Sequence, residues 1–174
     1  MEEIIDKYLD LLISIDLNKV SIPIEQEMED PNQKKDEEWK TWIPITSQVK
    51  TAEIVAFESL IGKELPDSFK RFLKHKHFYE LQIGECVFCE HPVNIWRKSL
   101  STMIFEGYPR EFLIDKGRIP FANWSDWGLL CFDTTLKTEG NNYPIVLWDH
   151  ELQDKFEVVY DDFLSMLLEL DKKS

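Results

Sequence analysis

The residues of this sequence best suited to metal chemistry lie between Cys86 and His91. Cys86 and Cys89 are separated by two residues, as in many zinc sites. Further potential ligands are His75, His77 and Cys131. The Val-Phe pair between the first two cysteines, however, favours a strand, in which side chains three positions apart point to opposite faces, and a second Cys-x-x-Cys pair is missing. We therefore expect neither a bound metal nor another cofactor.

A candidate pair for acid–base chemistry is Asp149 and His150, which are adjacent in the sequence. Adjacent residues in a turn seldom hold each other in the hydrogen-bond register that catalysis needs. The sequence also lacks a nucleophile elbow, a phosphate-binding loop, a dinucleotide fingerprint and a His-Glu-x-x-His helix. These observations predict a protein that is not an enzyme.

The pattern most typical of binding lies in the central stretch, residues 117–133, where Trp124 and Trp127 flank Asp126. Exposed tryptophans are frequent hot spots of protein interfaces, because a large rigid surface is buried at small entropic cost. The alternative is that both rings fill the core and Asp126 caps a turn. We predict a protein-binding groove formed by seven residues: Trp124, Asp126, Trp127, Asp133, Trp148, Asp149 and Glu151.

The charge balance limits the class of partner. The 174 residues carry 33 acids against 20 Lys and Arg, a formal charge of −13, with excesses over residues 25–40 and 149–174. A surface that binds nucleic acid needs clustered basic residues, so this balance argues against one. A basic protein is the expected partner, although a negative surface also serves solubility alone.

The N-terminal residues and the number of cysteines indicate the cellular compartment of the protein. The chain begins with acidic residues where a secretory signal would be basic, and no apolar run approaches the roughly 20 residues of a membrane span. Three cysteines, an odd number, do not suggest a disulfide framework. We expect a cytoplasmic protein with no membrane contact.

The elements that must position these residues begin with an amphipathic helix over residues 3–16. A long connection follows over residues 16–40, and Trp39 and Trp42 are expected to attach it to the domain. Ser47 is predicted to cap a helix over residues 48–61, with Gly62 as its stop. Another helix begins at Pro66, with Phe69, Phe72 and Leu73 as its buried side.

The second half of the chain is rich in predicted strands. Residues 81–90 indicate two strands around Gly84, a helix is possible over residues 94–103, and the central stretch is a strand, a loop and a strand. Turns at residues 139–142 and 149–151 separate strands over 143–148 and 156–160, and Asp161 is predicted to cap a closing helix. The pattern is α+β, with a mostly antiparallel sheet flanked by helices.

Three segments of this pattern together resemble the SUKH superfamily. They are Leu-Pro-Asp-Ser-Phe-Lys-Arg-Phe-Leu at residues 65–73 after Gly62, then Ile-Pro-Phe-Ala at 119–122 with Gly-Leu-Leu-Cys-Phe-Asp at 128–133, and Ile-Val-Leu-Trp-Asp-His at 145–150. The Asn-Gly-Gly turn common in the family after the Leu-Pro helix is replaced here by Lys-His-Lys-His-Phe at 74–78. The resemblance divides the chain into an N-terminal extension, residues 1–44, and a SUKH-like α+β domain, residues 45–174.

The resemblance implies binding without catalysis. The superfamily includes a fungal regulator of cell-wall glucan synthesis and many bacterial immunity proteins of polymorphic toxin systems. For this chain it implies an immunity protein that covers a cognate toxin, often a nuclease, and acidic charge suits a basic toxin domain. The alternative is a regulatory or scaffold module of the glucan-synthesis regulator type.

Overall fold

The computed structural model describes residues 1–34, 36, 38–136, 141–152 and 155–174. Its α-helices are α1 (Glu2–Ser14), α2 (Thr51–Ile61), α3 (Asp67–Leu73), α4 (Trp96–Phe105) and α5 (Phe163–Lys173). Its strands are β1 (Lys19–Val20), β2 (Lys40–Thr41), β3 (Ile45–Thr46), β4 (Lys76–His77), β5 (Gln82–Ile83), β6 (Cys86–Phe88), β7 (Arg118–Trp124), β8 (Gly128–Asp133), β9 (Ile145–Asp149) and β10 (Phe156–Tyr160). Within these described ranges, none of the helices combines the length and apolar character needed to cross a membrane.

A six-stranded sheet forms the centre of the molecule, in the order β10-β9-β8-β7-β6-β5, with every neighbouring pair antiparallel. Two small two-stranded sheets, β1-β2 and β3-β4, lie outside it. The predicted α+β class, with a mostly antiparallel sheet flanked by helices and a helix at the N-terminus, is confirmed.

The first face of the sheet carries Leu130 and Phe132 of β8 and packs against helices α3 and α5. Phe132 stacks on Phe121 of β7 with ring centroids 4.2 Å apart, and Phe69 of α3 meets Phe132 edge-on at 5.1 Å. Phe163 of α5 meets Phe121 at 5.7 Å. Each of these buried rings contributes roughly 1.5–3 kcal/mol through burial, so this cluster fixes both helices on the sheet.

The second face of the sheet carries Leu129 and Cys131 of β8, and β9 adds Val146 and Trp148 to it. Met103 of α4 and the segment from Tyr108 to Leu113 cover these side chains. The alternation along β8 therefore divides its side chains between two separate apolar clusters, and all six residues of the strand are buried.

Helix α1 belongs to the main core. Ile5 and Leu9 are each 1 % exposed and pack in the same cluster as the first face of the sheet. Ion pairs from its polar side also join it to the domain: Lys7 to Asp171 of α5 at 2.8 Å, and Glu2 to Arg71 of α3 at 2.7 Å.

Two predicted helix starts were wrong. Helix α2 begins at Thr51, where the Glu53 carboxylate accepts the Lys50 N–H at 3.0 Å, while the Ser47 hydroxyl donates to the Leu73 carbonyl instead of capping the helix. At α5 the cap is Asp162, whose carboxylate accepts the Ser165 N–H at 2.8 Å. The sequence places two aspartates side by side here, and the second has the extended backbone that a cap requires.

The connection over residues 16–40 has more structure than predicted. It contains β1, a 3₁₀ turn over Gln26–Met28 and the start of β2, and Met28 is fully buried. Trp42 is also fully buried, as its predicted anchoring role requires, whereas Trp39 is 54 % exposed. Residues 139 and 140 of the turn predicted over 139–142 lie outside the described residues.

Candidate protein-binding site

The turn between β7 and β8 presents Trp127 to solvent. Ser125 adopts the left-handed conformation (φ 53°), which closes the turn tightly. Its N–H donates to the Glu85 carbonyl at 2.7 Å, and the His150 N–H donates to the Trp127 carbonyl at 3.3 Å. The turn is thereby tied to both neighbouring hairpins, and the Trp127 ring, 38 % exposed, is held beside the turn that follows β9.

Trp127 forms one wall of a surface groove of about 140 Å³, which we call the Trp127 groove. Its lining residues are Trp127, Leu147, Asp149, Lys155 and Glu157. Glu157 of β10 pairs with Leu147 of β9, so both side chains lie on the first face of the sheet. No helix contributes to the lining among the residues that the structure describes, and this end of the first face is open to solvent there.

The rim of the groove is acidic. Asp126 lies next to Trp127 in the turn, and Glu151 follows Asp149; both Asp126 and Glu151 are exposed. One oxygen of Asp149 accepts the Glu151 N–H at 2.9 Å, which fixes the turn after β9. Among the described residues, no ion pair involves these three carboxylates or Glu157. They outnumber the ammonium of Lys155 in the described lining, so the groove carries net negative charge.

Trp124 has a mainly structural environment. It is half-buried and packs against the main core, where it lines a cavity of about 20 Å³ with Leu130 and Tyr160. It lies at the end of β7 and is less exposed than Trp127.

Asp133 and Trp148 lie inside the protein. Asp133 is 3 % exposed, accepts the Thr135 N–H at 2.9 Å and lies 3.5 Å from the Arg118 guanidinium. Trp148 is 1 % exposed on the second face, where the Tyr108 ring meets it edge-on at 5.8 Å. Of the seven predicted residues, the structure brings together Asp126, Trp127, Asp149 and Glu151, and it separates Asp133 and Trp148 from them.

Three groove residues were missed by the sequence prediction: Leu147, Lys155 and Glu157. The signal that could have found Leu147 and Glu157 is the antiparallel pairing of two adjacent predicted strands across a short turn. That pairing puts alternate residues of each strand on the same face as Asp149. Lys155 lies just before β10 and has no comparable signal.

The cysteines of the metal-like segment lie on different sides of the sheet. Cys86 is fully buried in the main core, whereas the Cys89 thiol contacts the Met103 sulfur at 3.4 Å next to the second face. Burial raises the pKa of Cys89 to about 12, and it also raises the pKa of Cys86 and Cys131. Within the described part of the chain, no group of three or more His, Cys, Asp or Glu residues could hold a metal ion.

Two histidines of the same region form a buried stacked pair. His77 and His91 are 0 % and 3 % exposed, with ring centroids 5.0 Å apart. Nε2 of His77 accepts the Gln48 N–H at 2.9 Å, so its Nδ1–H donates to the His91 carbonyl at 2.8 Å, while His91 Nε2–H donates to the Leu73 carbonyl at 2.8 Å. Burial lowers the pKa of both rings, that of His91 to about 3.

A larger cleft, of about 420 Å³, lies between α4 and the second face of the sheet. Its lining includes Glu90, Lys98, Met103 and Tyr108, and the Ser99 hydroxyl donates to Glu90 at 2.8 Å. Opposite charges and an internal hydrogen bond make this cleft nearly neutral, in contrast to the Trp127 groove.

The fold and this site define a class of protein: an α+β domain whose candidate site is an exposed aromatic residue within an acidic surface. A comparison with protein families finds that the SMI1 / KNR4 family (SUKH-1) matches residues 48–169. The chain belongs to the SMI1 / KNR4 family (SUKH-1), and the predicted SUKH resemblance is confirmed. The matched residues include α2, the whole six-stranded sheet and most of α5. No curated protein matches the chain.

Proposed function

We propose that this protein is a cytoplasmic immunity protein that binds a cognate toxin and neutralises it without performing catalysis. The observation that carries the proposal is membership of the SUKH-1 family over residues 48–169, since immunity proteins of polymorphic toxin systems belong to the SUKH superfamily. We further propose that the toxin contacts the Trp127 groove and its acidic rim.

Charge supports a basic toxin domain, such as a nuclease. A nuclease must carry positive charge to hold a phosphate backbone. The net charge of −13 would accelerate encounter with such a surface, and the unpaired carboxylates around the groove would meet its basic side chains. An immunity protein that covers this surface blocks access of the nucleic acid substrate.

The proposal is tested by affinity capture of the tagged protein from lysate of the source organism expressing its toxins, with washes at low and high salt. We expect capture of one basic protein with a C-terminal toxin domain, partly released at high salt because screening weakens charge complementarity. Purified toxin domain should then lose activity when the protein is added in equimolar amount.

Surface variants locate the contact. Trp127→Ala should weaken toxin binding by roughly 10-fold or more, the range of an interface hot spot, as measured by calorimetry. Trp39→Ala removes another exposed tryptophan far along the chain and should leave affinity unchanged. Capture of housekeeping proteins alone, with the toxin expressed, would instead favour a regulatory module of the glucan-synthesis regulator type.

A further inference from the structure

We infer that the Trp127 groove receives one arginine side chain of the protein partner, an inference that rests on the proposed function and adds the chemistry of the contact. The groove has a volume of about 140 Å³. That is well below the roughly 300–1,000 Å³ of pockets for small molecules. A space of this size suits a single long side chain inserted from another protein.

The lining of the groove matches a guanidinium group in both of its binding modes. Trp127 lines the groove with a ring that is 38 % exposed, and arginine stacks on tryptophan through cation–π and planar contacts. Asp149 and Glu157 offer carboxylates, which accept two parallel N–H bonds from a guanidinium. Leu147 forms the apolar part of the lining, against which the methylene stem can pack.

Both carboxylates are available to such a ligand. Asp149 uses one oxygen to accept the Glu151 N–H, and within the described ranges the other oxygen is left for an external donor. Glu157 is exposed and has no ion pair within the described residues. Backbone hydrogen bonds fix the turn around Trp127, so little backbone entropy is lost there on binding.

Lys155 is a cation in the described lining, and its position makes it a competitor of the incoming arginine. It is exposed, and within the described ranges no ion pair joins it to Asp149 or Glu157. Among the described lining residues, two carboxylates against one ammonium leave the groove negative, and Asp126 and Glu151 at the rim add to this. The groove can therefore accept one further positive charge.

The test uses N-acetyl-arginine amide as the probe and N-acetyl-citrulline amide as its neutral analogue of the same shape. The indole N–H resonance of Trp127 is assigned from its loss in Trp127→Phe and followed by NMR during titration. We expect saturable shifts with the arginine probe at roughly millimolar affinity, as suits a single side chain, and none with citrulline. Equal responses to both probes, or no response to either, would overturn the inference.

Substitutions in the groove distinguish how Asp149, Glu157 and Lys155 contribute to binding of the arginine probe. Asn at position 149 still accepts the Glu151 N–H, so Asp149→Asn combined with Glu157→Gln removes charge while preserving the turn. We expect this double variant to weaken the arginine probe at least 5-fold, whereas Asp36→Asn, a charge removal on the exposed N-terminal connection, should have no effect. Lys155→Gln should tighten binding severalfold, and weaker binding in that variant would contradict its role as a competitor.

The outcomes for the inference and for the proposed function are distinguishable. If a toxin is captured and inhibited but the arginine probe does not bind, the arginine inference fails and the immunity function stands. If the probe binds but no toxin is captured, the groove is an arginine site and the immunity function fails.

Discussion

The stacked histidines His77 and His91 are the buried groups most sensitive to acid. Each ring donates one N–H to a carbonyl, and His77 needs an unprotonated Nε2 to accept the Gln48 N–H. Desolvation is the main cause of their lowered pKa, and the neighbouring ring lowers the pKa of His91 further. The folded protein therefore holds both rings neutral, at the junction of β3, β4 and α3.

This predicts a loss of stability in mild acid. The unfolded chain takes up protons on these histidines below pH ~6.5, whereas in the folded chain the pKa of both is lowered. Their contribution to stability is therefore complete above that pH and falls as the pH drops, for His91 down to its folded pKa of about 3. Between pH 7.5 and 5.5, His91 alone should lower the free energy of unfolding by about 1 kcal/mol, measured by urea titration. His91→Gln should flatten this dependence, and a variant that keeps the full slope would contradict the assignment. His150→Gln, at an exposed position, is the matched control.

Two glycines with positive φ allow a matched comparison at the residue scale. A Cβ at Gly62 (φ 68°) would meet nothing within 4 Å, whereas one at Gly117 (φ 81°) would lie 2.9 Å from the Thr134 hydroxyl and 3.0 Å from the Thr135 methyl group. Gly62→Ala should lower the free energy of unfolding by about 1 kcal/mol, because it adds only the backbone strain of a side chain at positive φ. Gly117→Ala should cost roughly 1–2 kcal/mol more because it adds crowding, and equal melting temperatures for the two variants would refute this reading.

At the scale of elements, the N-cap of α5 is Asp162 in the structure, whereas the sequence pattern predicts Asp161. Asp162→Ala should cost about 1 kcal/mol, the usual value for losing an N-cap, since it frees the Ser165 N–H. Asp161→Ala, at the neighbouring exposed position, should cost little. Chemical denaturation of the two variants checks this, and the reverse order would restore Asp161 as the cap.

The sequence predicts elements well wherever a local signal defines them. Gly62 ends α2 in the left-handed conformation, and β10 occupies residues 156–160 as its β-branched and aromatic residues predict. The site is predicted less completely, because alternation tells which residues share a face but not which face a distant segment covers. Trp148 and Leu147 are neighbours on β9, and packing of Met103 and the segment from Tyr108 to Leu113 decides that Trp148 is buried.

At the scale of the whole molecule, α1 connects an N-terminal segment outside the family match to the part of the fold that the family match covers. Ile5→Ala should lower the free energy of unfolding by roughly 2–4 kcal/mol, the range for a large-to-small change in a core, since Ile5 is 1 % exposed. Leu11→Ala, on the same helix but 49 % exposed, should change it far less. Equal small effects would mean that α1 detaches from the domain independently.

The reactivity of the three thiols reports transient opening of the folded protein. Cys86 and Cys131 are fully enclosed, one in each apolar cluster, and the raised pKa of Cys89 leaves almost no thiolate at neutral pH. A thiol reagent can therefore react quickly only with molecules that have transiently exposed one cluster or the other. The rate at which each cysteine is modified reports how often the two sides of the sheet separate from their covering segments, and whether they do so together.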